Sequence, residues 1–379
     1  MARHGLSPAH IGVVPGAAGG PKGLILGSLD RFLFGQWLTQ SQQPVDLVGA
    51  SIGAWRMATA CLGDPVAAFA RLERDYIGQH YDLQPGEKRP GAATVSEKFG
   101  DSLRAFYGGR VNEVLTHPRY RLHIMTSRGR HVLRREHGVA TPLGYLGAFF
   151  TNAVSRKALG AWLERVVFSS GSGGLPFRTD DYRTRQVALS VANFNPALQA
   201  SCSIPFVLNA VHNIPGAPPG AYWDGGITDY HLHLHYQRSR ITPSVAIKSI
   251  ARGAGSICSA GQNTSNAPAE VDEASTTGSL VLYPHFQRQV VPGWLDKSLR
   301  WRHKSSAALD TTVLLAPSPD WVKTLPNGKL PDRQDFVHYG PDLPARVKAW
   351  SRAVSMSEQL VDEWAAWLRA PDPNLVQTL

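Results

Sequence analysis

The chain has 379 residues, 43% of them hydrophobic, enough for one large domain or two small ones and too apolar for wholesale disorder. Its 39 lysines and arginines outnumber its 29 aspartates and glutamates by +10; they are scattered rather than clustered or interleaved with aromatics, which argues against a nucleic-acid partner and leaves an attraction to anionic membrane surfaces. The three cysteines, Cys61, Cys202 and Cys258, are odd in number and far apart, so neither a disulfide framework nor a cysteine-held zinc is expected, and a reducing compartment fits. The first residues lack the apolar core of a signal peptide. No apolar run reaches the roughly 18 residues of a spanning helix. The expected location is the cytoplasm, with peripheral contact to an anionic membrane left open.

Residues 11–14, Ile-Gly-Val-Val, form a short apolar run closed by Pro15 and Gly16, as a buried strand is. A glycine-rich loop follows over 16–23. Leu24, Ile25, Leu29, Phe32, Leu33 and Leu38 then recur at helical spacing, predicting a helix over 24–38. Val45 to Val48 reads as a second strand, residues 49–53 as a sharp turn, and Ala54 to Leu62 as a second helix. This strand–helix rhythm predicts parallel strands joined by crossover helices.

Residues 65–118 read as helical, with breaks at Pro85, Pro90 and Gly108, and Arg121 to Ser127 reads as a strand. Residues 143–168 are rich in Leu, Phe, Ala and Val, with Lys157 and Trp162 on a polar side. A buried helix pair is favoured there over a lid or a membrane-docking surface, because such stripes are normally covered. Gln186 to Ala192 reads as another strand. Residues 251–279, rich in Ser, Ala, Thr, Gly and Asn, read as a flexible insertion, and order resumes at Leu280. Residues 343–369 predict a C-terminal amphipathic helix carrying Val347, Trp350, Val354, Leu360, Val361, Trp364 and Leu368. A single domain over 1–379 is expected, with its core at about 8–235 and a helical extension at about 340–370.

Three short motifs carry the chemistry. Gly49-x-Ser51-x-Gly53 lies between a predicted strand and a predicted helix, the context of a nucleophile elbow. Such a turn exposes the hydroxyl near a helix N-terminus, whose dipole favours negative charge. Gly19-Gly20-Pro21-Lys22-Gly23 follows the first strand, and successive glycines let backbone N–H groups converge on an oxyanion. Neither the P-loop spacing nor Gly-x-Gly-x-x-Gly is met there. Trp223-Asp224-Gly225-Gly226 closes a short apolar segment; alone, Asp-Gly is most simply a turn.

In this order the three motifs resemble the signature of the patatin-like phospholipase family: Gly-Gly-x-Arg/Lys-Gly, then Gly-x-Ser-x-Gly, then Asp-Gly-Gly/Ala. A small-residue helix running into a proline turn, Ala200-Ser201-Cys202-Ser203-Ile204-Pro205-Phe206, also looks like the family. The similarity spans about residues 11–230. The chain departs from the pattern at Ala18, where a third glycine is common, and at Lys22, where Arg is commoner and would offer a planar fork. The resemblance implies a three-layer α/β/α fold with a mostly parallel central sheet and a Ser–Asp dyad, in which Asp224 takes the Ser51 proton without a histidine. It further implies an oxyanion hole at Gly19, Gly20, Lys22 and Gly23, with Gly49, Gly53, Gly225 and Gly226 supporting the motifs. The implied reaction is lipid ester hydrolysis through an acyl-enzyme, with no cofactor. An acyltransferase or thioesterase on the same site, or a binding module that retains the fold, are the alternatives.

His231, His233 and His235 alternate and would share one face of a strand. Positions two apart lie about 6–7 Å from each other, so the three converge poorly on one ion, and no metal site is expected. Asp46 and Asp229 read as turn or cap residues.

Overall fold

A computed structural model describes residues 5–81, 90–237 and 278–379. In it the first two apolar runs are neighbouring parallel strands, β1 (Ile11–Gly16) and β2 (Val45–Ala50), both fully buried. The chain between them stays helical but changes its winding. A 3-10 segment (Gly20–Leu26) passes into α1 (Gly27–Phe32), a π turn (Leu33–Trp37) and a final 3-10 turn. Leu29, Leu33, Phe34, Trp37 and Leu38 are buried along it.

α2 (Ile52–Ala60) follows β2, and α3 (Pro65–Ile77), α4 (Ala92–Tyr107) and α5 (Val111–Leu115) lead to β3 (Tyr120–Gly129). Asp64 caps α3 by accepting the Ala67 N–H, and Pro65 sits in its first turn, where a missing N–H costs nothing. β4 (Leu163–Ser169), β5 (Thr184–Ala188), β6 (Val211–His212), β7 (Ala221–Asp224), β8 (Leu280–Pro284) and β9 (Thr312–Leu315) complete the sheet among the described residues. Its order is β5-β4-β3-β2-β1-β8-β9. β3, β2, β1, β8 and β9 run parallel, β4 runs antiparallel to β3, and helices flank the sheet in a three-layer α/β/α arrangement. β7 joins β3 antiparallel, on the edge that β2 occupies further back.

Several expectations change. Residues 143–168 are not a buried helix pair: α6 (Ala140–Val154) is followed by a 3-10 turn and then by strand β4. α6 buries Tyr145, Ala148 and Asn152 but leaves Leu143, Leu146, Phe150 and Val154 exposed at 62, 51, 61 and 88%. Periodicity marked the stripe correctly but could not say what, if anything, covers it. The strand expected at 186–192 ends at Ala188, and Val191 already opens α7 (Val191–Cys202). Ser190 and Asn193 form a reciprocal capping box that stops one element and starts the next. The C-terminal helix is two, Leu343–Met356 and Glu358–Arg369, broken at Ser357. Residues 251–277 of the expected insertion, with Cys258 and the break at Pro85, lie outside the described residues.

Asp46 and Asp229 are not turn or cap residues. Asp46 is buried within β2, where it binds Arg121 Nη2 at 2.7 Å and His123 Nε2 at 3.1 Å. Asp229 ends the short helix α8 (Gly226–Asp229) and is fully buried. It accepts from Arg165 Nε and Nη2 at 2.8 and 2.6 Å and from Tyr182 Oη at 3.1 Å. Arg165 in turn holds Asp181 at 2.7 Å, so the segment after Asp224 is fastened to β4. Removing Asp229 strips the fully buried Arg165 of its buried carboxylate and leaves it only the partly exposed Asp181. Asp229→Ala is therefore expected to lower unfolding stability by about 3–5 kcal/mol, read as a lower denaturant midpoint.

Candidate active site

β2 ends at Ala50, and Ser51 turns the chain directly into α2. Ser51 has φ 56° and ψ −131°, a conformation non-glycine residues rarely hold. Helix α2 grows from it, with the Ala54 N–H donating to Ser51 O at 2.9 Å. The motif glycines are present because side chains would not fit. A Cβ on Gly53 would lie 1.8 Å from the Gly16 carbonyl oxygen, and one on Gly49 would lie 2.4 Å from Ala54 Cα. The elbow therefore packs backbone to backbone against β1.

Strand β3 sets the partner. Ala50 lies opposite Met125, and the next β3 residue, Thr126, lies opposite Asp224 on the same edge. Ser51 and Asp224, 173 residues apart by number, thus meet through two consecutive residues of one strand. Gly225 is pressed so closely on β3 that a Cβ would meet Met125 O at 2.1 Å, and Gly226 leaves room for Ala18 and the Asp224 carboxylate.

Ser201, near the end of α7, ties these pieces together. Its Oγ accepts the Ser51 N–H at 3.0 Å and donates to Met125 O at 2.7 Å, while its carbonyl accepts the Gly225 N–H at 3.1 Å. Ser203 O accepts the Asp224 N–H at 2.8 Å. The small-residue run at 200–206 is thus a clamp on both halves of the site, a role its composition did not reveal.

Asp224 is 5% exposed, and desolvation pushes its carboxyl up to about 6. Opposing this are the Ser51 hydroxyl, the Gly226 N–H that donates to Oδ1 at 2.6 Å, and the positive charges of Arg333 and Lys297. The Ser51 hydroxyl is near enough to favour the ionised acid. The Cys202 thiol, pushed up by burial, also neighbours the Ser51 hydroxyl.

The glycine loop lies at the head of the 3-10 segment, which gives the first N–H groups of the turn no acceptor of its own. Gly20 takes φ +58°, and a Cβ on Gly19 would strike Phe286 at 2.5 Å. The Ala18 N–H is held by Tyr230 O at 2.9 Å. Gly19 and Gly20 stand at the start of the segment, where a helical turn leaves N–H groups without an acceptor of its own. Gly23 lies deeper in the turn, where a Cβ would stand 3.4 Å from Ile52 Cγ2, so its smallness seats the loop on α2. Lys22 Nζ lies 5.6 Å from the Phe286 ring centre, and burial lowers its basicity. The charges that bear on Asp224 come instead from Arg333 and Lys297, two residues no motif singled out.

The histidines do not line a strand. Leu232 has φ +48°, and residues 231–235 form an irregular segment that ends the alternation. His231 Nδ1 accepts the Val291 N–H at 3.0 Å, and His233 reaches Val290 O and Ser306 Oγ. His231 packs on His285 at 4.4 Å between ring centres, and burial holds both rings neutral. No histidine among the described residues bonds to Ser51 or Asp224, and no group of three or more His, Cys, Asp or Glu among them is placed to hold a metal ion. A cavity of about 620 Å³ lies against Phe286, Val290, Leu309 and Leu330 but reaches neither Ser51 nor Asp224.

A family model described as patatin-like phospholipase matches residues 17–231, more than half of the chain, and no curated protein matches it. The matched span holds the elbow, the glycine loop, the clamp and Asp224; Lys297 and Arg333 lie beyond it.

Ser201→Ala would strand the buried Ser51 N–H and Met125 carbonyl, each at roughly 1–3 kcal/mol. The expected outcome is a folded protein of reduced stability whose kcat falls by more than its KM changes, as measured by steady-state ester hydrolysis beside a denaturant titration.

Proposed function

We propose that the chain, which belongs to the patatin-like phospholipase family of lipid acyl hydrolases, cleaves lipid carboxylic esters through an acyl-enzyme formed on Ser51. The observation that carries this reading is the shared β3 register, which sets a buried carboxylate beside the elbow serine with no histidine between them. Asp224 Oδ takes the Ser51 proton as Oγ bonds to the substrate carbonyl carbon. The Gly19 and Gly20 N–H groups donate to the oxyanion that forms. The tetrahedral intermediate collapses, the ester C–O bond breaks, and Asp224 returns the proton to the departing alkoxide. Water then attacks the acyl-enzyme, giving its proton to Asp224, and collapse releases the acid and restores Ser51. A carboxylate titrating near 6 suits this work: it is ionised at neutral pH, yet more basic than an exposed aspartate.

α6 supports a peripheral membrane contact for the same enzyme. Its outer stripe, Leu143, Leu146, Phe150 and Val154, is exposed, and exposed Arg134, Arg135 and Lys157 flank the helix. Its inner face carries Tyr145, which meets Phe206 and Trp223 at 6.0 and 6.1 Å between ring centres, Trp223 being part of the strand that ends at Asp224. An apolar stripe with a basic fringe fits an anionic bilayer. No described helix is long and apolar enough to cross one.

Two outcomes test these readings. Asp224 must be ionised to act as base, so kcat/KM is expected to fall as pH drops through about 6, while Ser51→Ala abolishes turnover and Asp224→Asn lowers kcat by roughly 10²–10⁴-fold. A bell without an acid limb near that value, or full activity in Asp224→Asn, would remove Asp224 from the role. The double change Leu146→Asp with Phe150→Asp is expected to weaken co-sedimentation with vesicles rich in anionic phospholipid by about tenfold or more, and to affect hydrolysis of a monomeric short-chain ester far less.

A further inference from the structure

Tyr76 lies inside the family-matched span but in none of the three motifs, and it brings a phenol to the glycine loop. A Cβ on Gly20 would stand 3.7 Å from Tyr76 Oη and 3.4 Å from Arg333 Nε. Gly20, at φ +58°, is one of the two loop residues proposed to donate to the oxyanion. Tyr76 is the second-last residue of α3. The last, Ile77, is buried with Leu24, which directly follows the loop, and with Trp350 and Val354 of the helix Leu343–Met356. Apolar packing thus sets the end of α3 against the loop.

The Tyr76 ring is fixed by two tryptophans. Trp350 stacks on it with 6.4 Å between ring centres and 30° between planes. Trp55, on α2 one turn beyond Ser51, lies 6.4 Å away. Trp350 is itself anchored, its Nε1 donating to the buried Asp335 at 2.8 Å. A ring packed in this way has little freedom to swing its hydroxyl elsewhere.

That hydroxyl is not used by the fold. Tyr76 is partly exposed, and its Oη has no hydrogen-bond partner among the described residues. Other inward-facing tyrosines differ: Tyr107 Oη donates to Trp55 O at 3.2 Å, Tyr182 Oη to Asp229 at 3.1 Å and Tyr283 Oη to His231 O at 2.6 Å. A largely covered phenol ordinarily finds a partner, and phenylalanine would serve the packing alone. The Tyr76 hydroxyl is therefore free for a group from outside the chain. Burial pushes it up, so at neutral pH it keeps its proton and can only donate it in a hydrogen bond to an anionic oxygen.

We propose that Tyr76 Oη is a third donor to the oxyanion, hydrogen-bonding the former carbonyl oxygen of the substrate together with the Gly19 and Gly20 N–H groups. This rests on the reading of Ser51 as the acyl-hydrolase nucleophile. The two backbone donors come from the loop, and the third reaches the same point from α3. The proton stays on Oη throughout; the hydrogen bond strengthens as the carbonyl oxygen gains charge and weakens as the C=O bond re-forms. A donor of this kind acts on the transition state more than on the bound ester, so it raises kcat without lowering KM.

The test is Tyr76→Phe in the full chain, which removes one oxygen and leaves the ring between its tryptophans. Its denaturant midpoint is expected to equal that of wild type. With a monomeric short-chain ester, kcat is expected to fall by roughly 10²–10³-fold while KM changes little. An aliphatic trifluoromethyl ketone supplies a readout that a packing role would not move, because Ser51 Oγ adds to its carbonyl carbon and leaves a tetrahedral oxyanion. Its inhibition constant is expected to weaken in proportion to the loss of kcat/KM. An unchanged kcat, a rise in KM alone, or a lower kcat with ketone affinity at the wild-type value would each overturn the donor role and leave the hydrolase reading standing. A wild-type protein that neither turns over esters nor binds the ketone would remove the hydrolase reading, and the donor role with it.

Discussion

Strand β3 holds both halves of the site because its one edge is shared by two strands that arrive from opposite directions. β2 pairs with it up to Met125, and β7 takes over at Thr126. The serine that leaves β2 and the aspartate that ends β7 are then neighbours by hydrogen-bond register, whatever their side chains prefer. A slip of one residue in either pairing would send Ser51 or Asp224 to the other face of the sheet. The register is in turn protected on several sides. Ser201 fastens the elbow and the Gly225 turn to Met125, and the glycines at 16, 53 and 225 let backbones touch where a methyl group would force them apart. Arg165 then grips Asp229 just beyond the aspartate strand.

This frame also explains the chemistry available to Asp224. A carboxylate tied into a buried backbone corner loses water, and that loss raises its basicity more than its hydrogen bonds and distant cations lower it. The strained backbone at Ser51 stands at the start of α2, so the proposed nucleophile sits at a helix N-terminus with the glycine loop beside it. Burial, strain and free donors are each unfavourable for an isolated fold. They persist together because the surrounding contacts over-determine the geometry.

The sequence carries most clearly those features that backbone geometry demands. Gly49, Gly53, Gly225 and Gly226 could be picked out because no other residue fits their places, and the alternation of apolar runs with helical spacing led to the parallel α/β sheet. What stayed hidden depends on distant partners. Ser201 looks like any small residue in a helix until Met125 and Ser51 are placed against it. Asp46 and Asp229 look like local caps because the arginines that bury them come from other strands. The α6 stripe has the spacing of a buried helix and differs from one only in having no cover among the described residues. Arg333 and Lys297 carry no motif, and only the folding of the C-terminal third brings their charges to bear on Asp224. Ser190 with Asn193 was a readable start signal that the strand-like Gln186–Ala192 run obscured.

The central claim is that Ser51 is an activated nucleophile and that Asp224 activates it. Labelling the intact protein with a fluorophosphonate at neutral pH, and locating the adduct by peptide mass in wild type and in Asp224→Asn, addresses it most directly. A single adduct on Ser51 is expected, forming much more slowly in the variant. No adduct on folded wild-type protein, or equal labelling of the two, would contradict it.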